Sequence, residues 1–151
     1  MSTISPFLWF DGQAEEAMNH YVSIFRNSKV LSVSRFGDKA SSVTFELDGQ
    51  RFMGLNAGPH HRFNEAVSFF ISCDTQEELD YYWEQLSAGG GSESQCGWLK
   101  DRFGLSWQVV PKVLSTLVGD PNPRKSRATI DAMLGMRKLV IADLQRAHDA
   151  A

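Results

Sequence analysis

The chain of 151 residues lacks the features that would assign it to several common protein classes. It has only two cysteines, Cys73 and Cys96, so we expect free thiols rather than a disulfide framework. No apolar run is long enough to cross a bilayer, and no charged segment followed by an apolar one opens the chain, so we expect no membrane segment and a cytoplasmic protein. Basic residues are not in excess, since the net charge is −3, which argues against a nucleic acid as partner.

The first half of the chain has the pattern of a strand, a helix and three further strands. Asp11 is predicted as the N-cap of the helix, because apolar residues follow it at helical spacing. Asp48-Gly49 is the strongest hairpin signal in the chain. The predicted strands are Ile4–Phe10, Lys29–Phe36, Ser42–Leu47 and Arg51–Asn56.

The second half repeats this pattern. Thr75 and Glu78 have the spacing of a capping box at a helix start, and a run of three glycines ends the helix. Phe103-Gly104 predicts a tight turn, because glycine takes a positive φ without steric cost. Beyond it, Ser106–Val110 alternates in the manner of a strand with one buried face, and Gln108 is placed where a pocket would use it. The predicted strands are Val67–Cys73, Glu93–Trp98, Leu99–Phe103 and Leu105–Val110.

The two halves also align with each other. A shift of 62 positions places Tyr21 on Trp83, and a shift of 55 places Gly49 on Gly104. We therefore predict an α+β protein of two βαβββ modules, about 1–57 and about 66–111, whose facing sheets would enclose a ligand cleft. The segment of about 112–149 is predicted to be helical, with a short helix through Leu117 and one long final helix from Asn122-Pro123. The apolar stripe of that last helix consists of Ile130, Met133, Leu134, Ile141 and Leu144.

Five segments together carry a family resemblance. They are Pro6–Phe10 leading into Glu15–Ala17, Asp48-Gly49, Phe63–Ala66, the block from Cys96-Gly97-Trp98 to Trp107-Gln108, and Ala132–Leu134. The chain thereby resembles the PhnB-like family of the vicinal-oxygen-chelate superfamily, which includes glyoxalase I, bleomycin-resistance proteins and extradiol dioxygenases. The resemblance covers nearly the whole chain. It implies a single domain (1–151) of the glyoxalase/bleomycin-resistance/dioxygenase fold with a helical C-terminal extension, assembled as a homodimer.

Members of that family often carry the label 3-demethylubiquinone-9 3-methyltransferase. A methyl-donor site of the usual kind needs a glycine-rich turn between a strand and a helix. Gly89-Gly90-Gly91 is instead predicted to follow a helix and precede a strand. We therefore do not expect methyltransferase activity.

The resemblance also implies where a metal would be held. The superfamily's metal enzymes use two histidines and two glutamates, one pair from each module. The corresponding positions are Ser5 or Pro6 on the first strand, Met53 on the fourth, Ser68 on the fifth and Gln108 on the eighth. Because these side chains are neither imidazoles nor carboxylates, we expect no metal at this site and no other cofactor.

The candidate ligand-binding residues are mostly aromatic or amide side chains. Three tryptophans would form a wall for a flat ligand, with ordinary core packing as the alternative. Asn56, Phe63 and Asn64 flank the strand that carries Met53, although asparagine near glycine and proline is also typical of turns. The predicted set is Trp9, Met53, Asn56, Phe63, Asn64, Ser68, Trp98, Trp107 and Gln108.

Two histidines and a cysteine are the weaker candidates for catalysis. His60 and His61 precede Arg62 in a loop, where they would bind an anion or exchange protons; the alternative is a solvated loop. Cys96 would need activation by a nearby cation or helix N-terminus, and its alternative is a structural role. His148 is expected to be solvated on its helix.

These observations predict small-molecule binding in the inter-sheet cleft without the superfamily's usual metal. The basis is the neutral set of donor positions beside Trp98, Trp107 and Gln108. One alternative is a metal-independent or atypical lyase- or transferase-type enzyme of the glyoxalase superfamily. Another is a purely structural or regulatory dimer. The sequence leaves the identity of the ligand open.

Overall fold

A computed structural model describes residues 3–151, so the predicted first module, about 1–57, begins two residues outside the described part. The chain divides into two compact units, one ending at Phe63 and the other beginning at Asn64. The strands are β1 (Phe7–Phe10), β2 (Lys29–Phe36), β3 (Lys39–Leu47), β4 (Gln50–Asn56), β5 (Ser68–Cys73), β6 (Ser92–Glu93), β7 (Trp98–Lys100) and β8 (Ser106–Pro111). The helices are α1 (Ala14–Ile24), α2 (Gln76–Ser87), α3 (Val113–Val118), α4 (Pro123–Leu134) and α5 (Ile141–Asp149).

Each unit contains one four-stranded sheet with the same strand order. The orders are β1-β4-β3-β2 in the first unit and β5-β8-β7-β6 in the second, with one parallel pair in each. Two four-stranded sheets with helices confirm the predicted α+β class, and a helical C-terminal segment is present. None of the helices in residues 3–151 is long and apolar enough to cross a membrane.

The start of α1 differs from the sequence prediction. The helix begins at Ala14, with Gln13 at the N-cap position and no hydrogen bond from its own side chain, so Asp11 is not the cap. Gly12, with φ of +85°, turns the chain between Asp11 and the helix. The Ala14 N–H instead donates to Asn56 Oδ1 at 2.9 Å. A side chain at the end of β4 therefore satisfies a free amide at the helix start.

The cap of α2 follows the prediction. Thr75 has extended backbone geometry, and its Oγ1 accepts a hydrogen bond from the Glu78 N–H at 3.1 Å. This helix packs on one face of the second sheet. The side chains buried there are large and apolar, which makes that layer the core of the unit. They include Leu79, Trp83 and Leu86 of α2 and Leu99, Trp107 and Val109 of the sheet.

The hairpin before β8 is shorter than predicted. β7 runs only from Trp98 to Lys100, so the predicted strands Glu93–Trp98 and Leu99–Phe103 are wrong in their bounds. The buried carboxylate of Asp101 bonds the amides of Phe103 and Leu105 and thereby ends the strand. The predicted turn is present, since Gly104 has φ of +91° and donates its N–H to the Asp101 carbonyl at 3.0 Å.

The predicted long final helix is two helices. α4 ends at Leu134 and α5 begins at Ile141, with a non-helical linker between them. The linker carbonyls of Met136 and Arg137 accept the N–H groups of Cys96 and Gly97, both at 2.8 Å. Leu139 in the same linker is completely buried. These backbone bonds and this burial replace the helical bonds that a continuous helix would have made.

The linker approaches the second sheet closely because residue 97 is glycine. A Cβ atom there would lie 3.0 Å from Leu139 Cδ1 and 3.0 Å from the Val109 carbonyl oxygen. The Gln76 side chain fixes the same linker from the α2 side: its Nε2 donates to the Leu139 carbonyl, and its Oε1 accepts the Ile141 N–H. The linker between α4 and α5 is thus tied to the second sheet at Gly97 and to α2 at Gln76.

Candidate ligand-binding site

The two faces of the second sheet carry different side chains. Side chains alternate along a strand, so Trp107 and Val109 point to the α2 side while Gln108 and Val110 point to the other face. Trp107 is buried, and its indole N–H donates to Asp101 Oδ2 at 2.9 Å. The predicted pairing of Trp107 with Gln108 in one pocket therefore does not occur, because adjacent residues of one strand face opposite ways.

A pocket of about 610 Å³ lies on the Gln108 face of this sheet. Helices α3 and α4 form its opposite wall. Its lining is mainly apolar, with Gln108 as a central amide. The lining residues are Phe70, Ser72, Cys96, Trp98, Gln108, Val110, Pro111, Lys112, Leu114, Ser115, Val118, Ile130 and Met133.

The two residues of the second unit that the resemblance places at metal-donor positions contact each other. Gln108 Nε2 donates to Ser68 Oγ at 3.0 Å. An amide and a hydroxyl that already satisfy each other are poor ligands for a divalent ion, which prefers carboxylate, imidazole or thiolate donors in proteins. These residues therefore do not fit the superfamily's metal. Within residues 3–151 no cluster of three or more His, Cys, Asp and Glu side chains is placed to hold a metal ion.

The strand registers show which residue of the first unit corresponds to Ser68. Phe7 pairs with Met53 in the first sheet, and Phe70 pairs with Gln108 in the second. Ser68 lies two residues before Phe70, so its counterpart two residues before Phe7 is Ser5. Of the two predicted possibilities, Ser5 is the equivalent position. The other one, Pro6, uses its carbonyl to accept the Met53 N–H at 2.9 Å.

Three further candidates form local contacts within the first unit. The Trp9 indole N–H donates to the Gly58 carbonyl at 2.9 Å, and its ring meets His61 edge-on at 4.7 Å. Phe63 packs edge-on against Phe10, with ring centroids 5.3 Å apart. These contacts fix the loop after β4 to the strand β1.

The two asparagine candidates are engaged with the backbone. Asn56 accepts from Ala14 and donates through Nδ2 to the Ala40 carbonyl at 2.9 Å, so its amide joins α1 to the end of the sheet. Asn64 Oδ1 accepts the Ala66 N–H at 2.9 Å in a turn. Both arrangements point to structural roles.

The candidate catalytic residues differ in their exposure and in their distance from the pocket. His60 and His61 are exposed in their loop. Cys96 is half-buried in the pocket wall, at a left-handed φ of +58°. Cys73 lies in the core, where burial raises the pKa of its thiol to about 12, with a further contribution from the Glu78 charge. Of the two thiols, Cys96 is the one placed to meet a ligand.

The prediction that His148 is solvated is wrong, because the side chain contacts two carboxylates. Its Nε2 lies 2.8 Å from Asp120 Oδ2 and its Nδ1 lies 3.2 Å from Asp149 Oδ1. The hydrogen bonds with Asp149 and then Asp120 raise the pKa of His148. The side chain therefore links α5 to the turn between α3 and α4.

Several residues of the site were missed in the sequence. Ile130 and Met133 did stand out as part of an apolar stripe, but the stripe gave no indication of which surface it covers. Leu114 and Val118 lie on a six-residue helix, which is too short to show a clear periodicity. The role of Gln76 depends on Leu139 and Ile141, which lie more than 60 positions along the chain, and local patterns do not reveal such partners.

Comparison with known proteins agrees with this architecture. The family model described as 3-demethylubiquinone-9 3-methyltransferase matches residues 2–110. The solved PhnB protein from Bacillus cereus is 34% identical, the match covering 73% of this chain and 99% of that one, with a TM-score of 0.66. The chain therefore belongs to this PhnB-like family. The family prediction is thereby confirmed.

More distant structures share the fold. A Pseudomonas aeruginosa protein is 20% identical over 74% of this chain and 98% of its own, with a TM-score of 0.64. The fosfomycin resistance protein FosX from Listeria monocytogenes, solved with Mn(II) and sulfate, is 16% identical over 76% of this chain and 94% of its own, with a TM-score of 0.53. No curated protein matches the sequence. The family model ends at residue 110, so helices α3 to α5 lie beyond it.

Proposed function

We propose that this PhnB-like protein binds a small, largely apolar organic molecule in the pocket between the second sheet and helices α3 and α4, without a metal ion. The observation that carries the proposal is the pocket itself. Its volume of about 610 Å³ lies within the range of small-molecule sites, roughly 300–1,000 Å³. Apolar walls with a few polar groups, here Gln108 and Ser72, are the usual composition of such sites.

The chemistry of the donor set supports the metal-independent part of the proposal. Gln108 and Ser68 hydrogen-bond each other, and the family resemblance implies charged or imidazole ligands at these two positions in the superfamily's metal enzymes. Binding of an ion there would have to break this bond and would gain only neutral oxygen donors. We further propose, on the family's general pattern, a cytoplasmic homodimer that binds neither nucleic acid nor membrane.

The family label does not decide the activity. The glycine run 89–91 follows α2 and precedes β6, with φ of +72° at Gly89 and +116° at Gly90. A turn that ends a helix does not present the helix N-terminus that usually receives an anionic group of a nucleotide-like cofactor. We therefore do not propose methyl transfer.

A second candidate function is a metal-independent enzyme that uses the Cys96 thiol. The observation that favours it is the position of this thiol in the pocket wall. Native protein should then react with one equivalent of a thiol reagent at Cys96, while Cys73, with a pKa near 12, stays unreactive until unfolding. Turnover of a pocket ligand that is lost in Cys96→Ser, with binding retained, would establish this function over simple binding.

Binding in the pocket can be tested with the neutral fluorescent dye Nile red in the presence of EDTA. We expect saturable binding to the wild-type protein and at least about tenfold weaker binding to Ile130→Trp/Met133→Trp, which narrows the pocket. The matched control Asp131→Trp/Leu134→Trp places the same side chains one position further along α4, where both residues are exposed. Equal affinity of the two double variants, both folded by circular dichroism, would contradict the proposed site.

The metal-independent part has its own test. Titration calorimetry of the wild-type protein and of the double variant Gln108→Ala/Ser68→Ala with Zn²⁺ and Mn²⁺ compares their metal binding. We expect no stoichiometric binding at Gln108 and Ser68, so the two titrations should agree. Stoichiometric binding of either ion that this variant loses would overturn it.

A further inference from the structure

A buried hydroxyl on the Gln108 face of the second sheet lacks a partner. Ser106 is 1% exposed, and its Oγ makes no hydrogen bond to any residue between 3 and 151. Buried polar side chains in folded proteins are nearly always hydrogen-bonded, because an unmade bond costs stability. The unpaired hydroxyl is explained if a ligand supplies the missing partner.

Ser106 belongs to a row of polar side chains that crosses the whole sheet. It pairs with Lys100 of β7 on one side and with Ser68 of β5 on the other. Lys100 in turn pairs with Ser92 of β6. Paired residues of neighbouring strands project to the same face, with Cβ atoms roughly 5 Å apart. Three serines and one lysine therefore lie side by side on this face.

The neighbouring row on the same face lines the large pocket. Trp98 pairs with Gln108, which pairs with Phe70, and all three line that pocket. Trp98 also borders a smaller pocket of about 230 Å³, which Ser106 and Lys100 line. Two residues along a strand correspond to roughly 7 Å. One molecule with an apolar body in the large pocket and a short chain therefore reaches Ser106 with its head group.

The charges of the small pocket cancel, which favours an uncharged head group. Lys100 and Glu65 form an ion pair, and the hydrogen bond from Lys100 lowers the pKa of Glu65, so both groups stay ionised at neutral pH. Glu93 pairs with Leu99 and accepts the Trp83 indole N–H, so its carboxylate lies on the α2 face. Among the described residues of this pocket, a charged ligand would find no unpaired opposite charge, and burying a charge costs far more than burying a neutral group.

The Lys100–Glu65 pair also allows access to the buried hydroxyl. Its side chains are 39% and 62% exposed, and ion pairs this exposed contribute little stability. The Lys100 side chain can therefore move aside at small cost when a ligand approaches Ser106. The hydroxyl of an alcohol both donates and accepts hydrogen bonds, as does Ser106 Oγ, so the two groups satisfy each other.

We propose that the ligand of this protein is a neutral amphipathic alcohol, whose apolar body lies against Trp98 and Gln108 under α3 and α4 and whose hydroxyl bonds Ser106 Oγ. This inference rests on the proposed function, because it needs the large pocket to be the binding site. It adds the chemical class of the ligand and a polar subsite at Ser106.

Two probes with one shared apolar body, 4-phenylbutan-1-ol and n-butylbenzene, test the inference, since only the first carries a hydroxyl. Their dissociation constants for wild type and Ser106→Ala form a double-mutant cycle. Ser106→Ala should weaken alcohol binding about fivefold, the size of one net hydrogen bond, and leave butylbenzene binding within about twofold. The melting temperature of the free protein should not fall, since the change removes an unsatisfied hydroxyl. A fall would show that Ser106 has a partner in the free protein and would overturn the inference.

The corresponding amine and acid, 4-phenylbutylamine and 4-phenylbutanoic acid, test the preference for a neutral head group. Each should bind wild-type protein at least about tenfold more weakly than the alcohol at pH 7. Ser72→Ala is the matched control, because Ser72 lies on the same sheet face but lines only the large pocket. It should leave the ratio of alcohol to butylbenzene affinity unchanged.

The outcomes separate the inference from the proposed function. A ratio of alcohol to butylbenzene affinity that Ser106→Ala leaves unchanged, or that Ser72→Ala changes equally, would overturn the inference. A charged probe that binds as tightly as the alcohol would do the same, and saturable binding of butylbenzene would still support the pocket. Failure of both neutral probes to bind wild-type protein would overturn the proposed function together with the inference.

Discussion

The two sheets close their corresponding hairpins in different ways. Between β3 and β4, Asp48 and Gly49 adopt positive φ values of +48° and +81°, and the two-residue turn needs little else. Between β7 and β8, the buried carboxylate of Asp101 bonds two turn amides and the indole of Trp107. The first hairpin depends mainly on backbone preference, with one exposed bond from the Asp48 N–H to Ser28 Oγ, and the second depends on one side chain in the core.

The two sheets also differ in the lengths of their strands and in the helices that pack beside them. β2 and β3 of the first unit have eight and nine residues, whereas β6 and β7 of the second have two and three. The second unit alone carries the C-terminal helices, and α3 and α4 complete a pocket against its sheet. The pocket of the second unit is thus formed in part by helices that lie outside the repeated strands and helix.

The largest expected effect is loss of the anchor that holds the extension. Leu139→Ala should lower the free energy of unfolding by about 3–5 kcal/mol, because it leaves a cavity at a completely buried leucine. Leu134→Ala is the control: this leucine is 55% exposed, and the change should stay within about 0.5 kcal/mol. Urea denaturation measures both. Similar small losses of unfolding free energy for the two variants would show that the C-terminal extension is not tightly packed on the second sheet.

The next largest expected effect is a difference in stability loss between variants of the two hairpins. Asp101→Ala should cost about 3 kcal/mol, since it leaves three N–H donors without their acceptor at a position only 3% exposed. Asp48→Ala should cost at most about 1 kcal/mol, the price of placing alanine at a left-handed φ. Chemical denaturation of both variants gives the comparison. Equal losses would contradict the difference drawn between the two turns.

A smaller difference in stability loss is expected between variants at the starts of helices α1 and α2. Asn56→Ala removes two hydrogen bonds and should cost about 2 kcal/mol, whereas Thr75→Ala removes one cap and should cost about 1 kcal/mol. Thermal denaturation of the two single variants measures the difference. A larger loss for Thr75→Ala would show that the distant cap from β4 contributes little to α1.

Much of this architecture could be predicted because its signals are local. Asp48-Gly49, the Thr75 cap, the Asn122-Pro123 helix start and the alternation in β8 each depend on residues within a few positions. Gly104 likewise marks its turn by itself. The internal alignment of the halves then gave the βαβββ order, since a repeated pattern constrains both copies.

The incorrect predictions for Asp11 and for the final helix share a physical cause, which is a partner far away in sequence. Asp11 resembled a cap, but Asn56, 42 positions beyond Ala14, supplies the hydrogen bond. The final helix resembled one element, but its middle pairs with the turn at Cys96-Gly97. Trp107 resembled a ligand-binding residue, but its position in the strand turns it into the core. Only the pairing of strands and linkers decides such cases.

The smallest expected effect concerns the pH dependence of the extension. Hydrogen bonds to Asp149 and Asp120 raise the pKa of His148, and bonds from the Asn122 amide and His148 lower the pKa of Asp120. The nearby Lys125 acts in the opposite direction on His148. The stabilisation is therefore complete between about pH 4 and 6.5, the ordinary pKa values of the two groups. It is lost as pH rises through the raised pKa of His148 or falls through the lowered pKa of Asp120.

His148→Gln should abolish the part of this dependence that lies above pH 6.5. Melting temperatures of wild type and variant, measured from pH 5.5 to 8.5, should differ most at the acid end of that range and converge toward the alkaline end. A constant difference across the range would show that the imidazole charge does not stabilise the contact between α5 and the α3–α4 turn.

The central claim is that the cavity of the second unit binds a small apolar molecule without a metal. Its most direct test is a nuclear magnetic resonance titration of ¹⁵N-labelled protein with 4-phenylbutan-1-ol in EDTA. We predict saturable shifts of the Trp98 indole and Gln108 amide signals, with the Trp9 indole signal unchanged. Shifts that appear only when a divalent ion is added, or that leave Trp98 and Gln108 unmoved, would contradict the claim.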